Sequence, residues 1–249
     1  IASNSFEFFE RAGKTIPICP MNGTLQNKKI LDFGNISRKN LHKLIFDIAS
    51  AKKIPITIGG DHSITADILH ALYEAFGDKI TLLYFDAHPD FVSSTRNYYG
   101  SVITDSSDYI NFAKSILIGT RAAEQEELDN ASKQKLETIT PMNILESGIN
   151  TIVKRIISKC ASTKVYLSVD LDCMDPGVAP GVSVPAPGGL FPLDLMYIIK
   201  RVSENLQIVG MDIVELSPDY DLNQNTANHA ARLIMETIAS LKIRQKKQH

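Results

Sequence analysis

Ile80-Thr81-Leu82-Leu83-Tyr84-Phe85-Asp86-Ala87-His88-Pro89-Asp90 passes from an apolar stretch straight into three polar groups: two carboxylates and an imidazole. A short apolar run closed by turn residues reads as a strand buried on both faces, the type found in parallel sheets. Residues 165–169 repeat the pattern and end in Asp170 and Asp172, while 55–58 lead into Gly59-Gly60-Asp61-His62. Strands are predicted at 29–33, 55–58, 79–86, 115–119, 164–170 and 207–214. Between them, apolar residues recur at helical spacing: Leu41, Leu44, Ile45 and Ile48, then Ile68, Leu69, Leu72 and Ala75. A later helix starts near Pro192, a residue suited to a first turn, and carries Leu195, Ile198, Ile199 and Val202; the last covers about 226–241. Such alternation predicts an α/β fold with a mostly parallel central sheet covered by helices on both faces. No internal repeat, low-complexity tract or linker breaks 1–249, so a single domain is expected.

Composition narrows the function classes. With 249 residues the chain has ample material for a core, and a net charge of −2 gives no general attraction to nucleic acid or to an anionic membrane. Three cysteines (Cys19, Cys160 and Cys173) are too few and odd in number for a disulfide framework, which favours a reducing cytoplasm. No apolar run approaches the roughly 18 residues of a membrane span, and the N-terminus lacks a signal-peptide pattern. Because the first residue is Ile1 rather than Met, the natural N-terminus is expected to be missing from this chain.

In open parallel sheets chemistry gathers outside the carboxyl ends of the strands. His62, Asp86, Asp170 and Glu215 all fall at such ends. Alternate residues of an extended segment point the same way, so Asp86, His88 and Asp90 are expected to converge, as are Asp170 and Asp172. Carboxylates with imidazoles and no thiolate suit Mn²⁺ or another first-row ion, and His62, Asp86, His88, Asp90, Asp170 and Asp172 are enough for two. Four aspartates (−4) balance two divalent ions (+4), and a bridging hydroxide leaves the cluster at −1, open to a cationic substrate. Two ions roughly 3.5–4 Å apart lower the pKa of a shared water, and a guanidinium carbon is a suitable target for the resulting hydroxide.

Together the segments Gly59-Gly60-Asp61-His62-Ser63, Asp86-Ala87-His88-Pro89-Asp90 and Ser168-Val169-Asp170-Leu171-Asp172 resemble the three metal motifs of the ureohydrolase family of arginases and agmatinases. Asp175-Pro176, Ala179-Pro180-Gly181 and Pro187-Gly188-Gly189 fit the loop after the third motif, and Asp212-Ile213-Val214-Glu215 with Pro218 resembles the family's substrate-binding strand. The resemblance implies a three-layer α/β/α sandwich, two Mn²⁺ per subunit, self-association as trimers or hexamers, and hydrolysis of a small guanidino compound to urea and an amine. Carried across by position, one ion takes His62, Asp86, Asp90 and Asp170. The other takes Asp86, His88, Asp170 and Asp172, and Glu215 binds the guanidinium.

Two departures from the family pattern matter. The family assigns proton transfer to a histidine in the loop after the second motif, whereas this loop reads Asn97-Tyr98-Tyr99-Gly100-Ser101-Val102. A segment between about Tyr98 and Ser101 is therefore expected to be missing, as is the family's first strand; loss of the proton-shuttle histidine is the alternative. Arginases also place Asn two positions beyond the last aspartate of the second motif, where it holds the substrate's α-carboxylate. Here that position is Val92, which cannot supply the hydrogen bond, so agmatine, cleaved to urea and putrescine, is the favoured substrate. Guanidino-acid hydrolase, formimidoylglutamate hydrolase and arginase are the alternatives within this chemistry, and a metal-binding scaffold without turnover is the alternative outside it. A two-metal phosphoesterase is disfavoured, since no Arg/Lys cluster accompanies the ligands.

Other residues read as structural. His42, His70 and His249 show no metal-like partners in the sequence and read as helix-surface or tail residues, and His229 reads as non-catalytic. Cys173 reads as a small packing residue. Arg121 follows a strand end without a definite role, and Lys242, Arg244, Lys246 and Lys247 make a solvated basic end.

Overall fold

A computed structural model describes residue 25, residues 28–93 and residues 96–241. Six parallel strands make one sheet: β1 (Ile56–Ile58), β2 (Thr81–Phe85), β3 (Ile116–Ile118), β4 (Glu137–Ile139), β5 (Lys164–Asp170) and β6 (Gln207–Val214), in the order β1-β6-β5-β2-β3-β4. The helices are α1 (Arg38–Ser50), α2 (Ile64–Phe76), the single turn α3 (Val102–Asp105), α4 (Gln125–Gln134), α5 (Pro141–Ser147), α6 (Ile149–Cys160), α7 (Pro192–Asn205) and α8 (Asn225–Ser240). As expected, Pro192 occupies the first turn of α7, where its missing N–H costs nothing.

The central strands are apolar on both faces because both are covered. Leu83, Phe85, Val169 and Ile213 join α6, α7 and α8 in one core. Leu82, Tyr84 and Tyr166 join α1 and α2 in the other. This is the expected three-layer α/β/α arrangement. Among the described residues, no helix is long and apolar enough to cross a membrane.

One expected strand is not formed, and one strand is present that the sequence does not predict. Residues 29–33 are irregular, and Ile30, Leu31 and Phe33 are exposed. Five residues are too few to hold a strand without a pairing partner, and none pairs with them among the described residues. Conversely, β4 was missed: its three residues open with Glu137 and sit at the edge of the sheet. Residues 1–24, with Cys19, and 242–249, with the basic end and His249, lie outside the described residues.

Register explains how distant motifs meet. Ile58 pairs with Ile213, Ile213 with Val169, and Val169 with Phe85, so four strands end on one row. Asp86, Asp170 and Glu215 come just after that row, and a Gly59-Gly60 turn carries the chain to His62. Both glycines have positive φ, +85° and +82°, which a side chain would strain. This turn is stitched to the continuation of β6: Gly59 N–H donates to the Ile213 carbonyl at 2.8 Å, and Glu215 N–H donates to the Gly60 carbonyl at 3.2 Å.

Candidate metal centre

The expected convergence occurs, but turns produce it rather than strand pleat. β2 ends at Phe85 and β5 at Asp170, and Leu171–Cys173 is a 3₁₀ turn. In each motif an aspartate accepts from a backbone N–H two residues on. Asp86 takes that of His88 at 2.6 Å, Asp170 that of Asp172 at 2.8 Å, and Asp61 that of Ser63 at 2.9 Å. Aspartate favours such turns because its short side chain mimics a backbone acceptor. Asp172 also accepts from Ala87 N–H at 3.0 Å, tying the second and third motifs together. Asp90 and Glu215 both have left-handed backbones, with φ of 48° and 63°, a conformation that costs about 1–3 kcal/mol and concentrates at functional sites.

All six candidate ligands and Glu215 are brought together. His62 Nδ1 lies 3.0 Å from Asp86 Oδ2, 3.3 Å from Asp90 Oδ2 and 3.2 Å from Asp170 Oδ2. His88 Nδ1 lies 3.0 Å from Asp172 Oδ2 and 3.5 Å from Asp86 Oδ1. Two donor groups result, His62/Asp86/Asp170 and Asp86/His88/Asp172, which share Asp86. One ring nitrogen cannot donate to three carboxylates, and Asp86 Oδ2 is buried with no hydrogen-bond partner. Oxygen- and nitrogen-rich, largely buried and short of donors, the cluster fits divalent cations.

The orientation of His62 comes from residues to which the sequence reading gave no role. Its Nε2 contacts Ser168 Oγ at 2.8 Å, and Ser168 donates onward to Asp212 Oδ1 at 2.7 Å. With the Ser168 proton used there, Oγ accepts from His62 Nε2–H, which leaves Nδ1 facing the carboxylates. Thr65 and Tyr166 donate to the other oxygen of Asp212, at 2.7 and 2.8 Å. Tyr84 stacks on the His62 ring at 4.5 Å and donates to Asp90. The signal for Ser168 and Asp212 was positional: both lie inside quoted motifs, on strand positions facing His62 from neighbouring strands. Outer partners of a ligating histidine are typically worth about 10–100-fold in metal affinity. Ser168→Ala is therefore expected to weaken divalent-metal binding by about that factor, measured by calorimetry on metal-free protein. Unchanged affinity would remove the Ser168 link.

Electrostatics agree with the geometry. Hydrogen bonds accepted by Asp172 and then Asp86 push the His88 imidazole up to about 11. Burial pulls His62 down, but Asp170, Asp86 and Asp90 outweigh it and hold it well above the ordinary range. Burial, then the charges of Asp90 and Asp172, raise Asp86 to about 7; burial, then Asp172 and Asp86, raise Asp170. For Asp172 burial acts upward, but the His88 partnership wins and its carboxyl is lowered. Ligands must shed these protons before they bind an ion. Since the protons are held up to pH values near 7 for Asp86 and 11 for His88, raising the pH makes that easier. Divalent-metal affinity should rise by about tenfold or more per pH unit between pH 6.5 and 8.5, with proton release seen as buffer-dependent heats. A flat profile would contradict this.

Glu215 stands beside the cluster: Oε1 accepts from His62 N–H at 2.8 Å and Oε2 from Ser183 Oγ at 3.2 Å. Burial raises its carboxyl above the usual range. Arg121 gains a definite role. Its guanidinium donates to the carbonyls of Gly119, Asp172, Cys173, Met174, Ala186 and Pro187, fastening the loop after the third motif. Cys173 is buried, as expected of a packing residue. His229 is half-buried, hydrogen-bonded to the Val178 backbone and pulled below its ordinary value chiefly by burial. The 97–102 loop closes on itself through Ser101 N–H to the Tyr98 carbonyl at 3.1 Å. One expectation fails here: His42 and His70 do have a metal-like partner, Glu74, because α1 and α2 pack together, which the sequence does not display.

Comparison with known proteins agrees with this geometry. The sequence profile of the arginase family matches residues 15–239. An agmatinase of Blochmanniella floridana is 34% identical over 212 residues, covering 84% of this chain and 66% of that protein. A guanidinobutyrase of Pseudomonas aeruginosa is 32% identical over 198 residues, covering 76% of this chain and 60% of that protein. The crystal structure of the agmatine ureohydrolase of Thermoplasma volcanium superposes with a TM-score of 0.79 at 31% identity, covering 95% of this chain and 81% of that one. The chain spans about 60–66% of the length of these two curated relatives. With a profile matched over nearly its whole length and the three motifs folded onto one row of strand ends, the chain belongs to the arginase family.

Proposed function

We propose that the protein is an agmatinase-type ureohydrolase that holds two Mn²⁺ ions and cleaves the guanidinium of agmatine to urea and putrescine. The observation that carries this reading is the pair of donor groups sharing Asp86, with the Glu215 carboxylate bonded to the backbone of His62 beside them. His62, Asp86, Asp90 and Asp170 would hold one ion, and Asp86, His88, Asp170 and Asp172 the other. When bound, the two ions supply Lewis acidity and a water acidic enough to ionise near neutral pH. Glu215 then pairs with the guanidinium by charge-assisted hydrogen bonds and fixes its planar face toward the cluster. Self-association as trimers or hexamers and a histidine-bearing segment between Tyr98 and Ser101 belong to the same proposal through the family resemblance, and a cytoplasmic location through the small, odd number of cysteines.

The choice of substrate rests on Val92. Its N–H donates to the Gly100 carbonyl at 3.3 Å and its carbonyl accepts from Thr104 Oγ1 at 2.6 Å, so the backbone is engaged and the side chain is apolar. Nothing at that position binds an α-carboxylate, which disfavours arginine. A site lacking that contact binds a decarboxylated guanidine without leaving a polar group unpaired. The similarity to a guanidinobutyrase supports a second reading, hydrolysis of a guanidino acid whose carboxylate lies at the far end of the chain. Urea release from agmatine, arginine and guanidinobutyrate, together with formamide release from formimidoylglutamate, all with added Mn²⁺, decides the matter. The highest kcat/KM is expected for agmatine. A higher value for guanidinobutyrate selects the second reading, a higher value for arginine removes the Val92 argument, and neither urea nor formamide from any of them with two ions bound makes the protein a scaffold.

A further inference from the structure

On the outer layer, α1 and α2 pack together and bring His42 beside His70 and Glu74. The i, i+4 spacing of His70 and Glu74 puts both on one face of α2. His42 Nε2 lies 3.4 Å from Glu74 Oε2, and His70 Nε2 lies 3.2 Å from Glu74 Oε1. One donor atom from each residue falls within 4.8 Å of the other two. The two imidazole rings are 4.7 Å apart, and Tyr109 stacks on His70 at 4.4 Å, holding its ring in place.

Simple ion pairing explains this cluster only in part. His42 Nε2 is shielded from solvent and has no hydrogen-bond partner, although it faces a carboxylate oxygen. An unpartnered, solvent-shielded nitrogen aimed at an oxygen is what a ligand pair looks like when its geometry serves a third atom. Bonds of roughly 2.0–2.1 Å in a tetrahedral site place neighbouring ligand atoms about 3.3 Å apart, and each imidazole nitrogen lies near that distance from one oxygen of Glu74, His42 from Oε2 and His70 from Oε1. We propose that His42, His70 and Glu74 form a third metal site, separate from the carboxylate centre, that binds Zn²⁺ through two imidazoles and one carboxylate with the remaining position open to solvent. The donor set has more nitrogen and fewer oxygens than the carboxylate cluster, which shifts preference from Mn²⁺ toward Zn²⁺. Glu74 lies ten residues along α2 from Ile64, roughly 15 Å from the end next to His62, so the two sites do not share ligands. A bound ion ties α1 to α2, the pair that covers one face of the sheet.

The test uses Mn²⁺-loaded wild-type protein and the variants His42→Ala, His70→Ala and Glu74→Gln, each equilibrated with Zn²⁺ and freed of excess ion. Metal analysis is expected to find one more equivalent of Zn²⁺ in the wild type than in each variant, with equal Mn²⁺ throughout. Co²⁺ in place of Zn²⁺ should give visible absorption bands in the wild type that the variants lack. A hundredfold excess of Zn²⁺ over its dissociation constant should raise the wild-type melting temperature by about 5–10 °C and leave the variants unmoved. The variants sit outside the hydrolytic machinery, so their Mn²⁺ content shows that they have folded. Equal Zn²⁺ uptake by all four proteins, or uptake by none, overturns the proposal.

Discussion

Asp86→Ala is expected to lose both ions and to lower urea formation by about a thousandfold or more, since metal assistance supplies several kcal/mol and each 1.36 kcal/mol is tenfold in rate. Asp86 is the residue common to the two donor groups, its Oδ2 facing His62 and its Oδ1 near His88. The substitution also separates ligation from folding. Burial and the charges of Asp90 and Asp172 raise this carboxyl to about 7, so its ionisation works against the metal-free fold. A group whose folded pKa lies above its unfolded value loses its stabilising contribution as pH rises through the folded pKa. At pH 8, metal-free Asp86→Ala should thus melt no lower than the metal-free wild type, while Mn²⁺ raises the melting temperature of the wild type alone. Two equivalents of Mn²⁺ retained by the variant would end the assignment of Asp86.

Glu215→Gln should lower kcat/KM for agmatine by roughly a hundredfold to a thousandfold while leaving metal content intact. The glutamine oxygen can still accept from His62 N–H, so the Gly59–His62 turn keeps its anchor. What disappears is the negative charge that would pair with the substrate in a half-buried position. Truncating one partner of such a pair costs about 2–5 kcal/mol. Because the contact orients the guanidinium, both kcat and KM should change. A variant with wild-type kcat/KM would show that the substrate cation is held elsewhere, and one that loses Mn²⁺ would show that Glu215 shapes the metal cluster instead.

The candidate site was more legible in the sequence than some of the fold around it. Residues 164–170 and 207–214 were read with the observed ends because long, nearly unbroken apolar runs mark strands covered on both faces. The exposed segment 29–33 carries apolar residues but pairs with no strand among the described residues, and β4 has only three residues with a charged start. Neither case can be separated from loop by local pattern. The convergence of Asp86 with His88 and of Asp170 with Asp172 was anticipated for the wrong reason: aspartate-capped turns, rather than alternation along a strand, aim these groups. Ser168, Asp212 and Tyr84 act on His62 across strand pairings that only the assembled sheet reveals. The same limit hid His42 and His70, whose meeting with Glu74 depends on how two helices pack.

The links that complete the centre join residues far apart along the chain. Ala87 reaches Asp172 across 85 positions, His62 reaches Ser168 across 106, and His62 reaches Glu215 across 153. Each loop must close before its contact repays the lost chain entropy, which slows assembly of such folds. During synthesis a nascent polypeptide can therefore display scattered carboxylates but no complete cage until β6 has left the ribosome. Ion capture is thereby coupled to the emergence of β6, and products terminated before it should lack a working cluster.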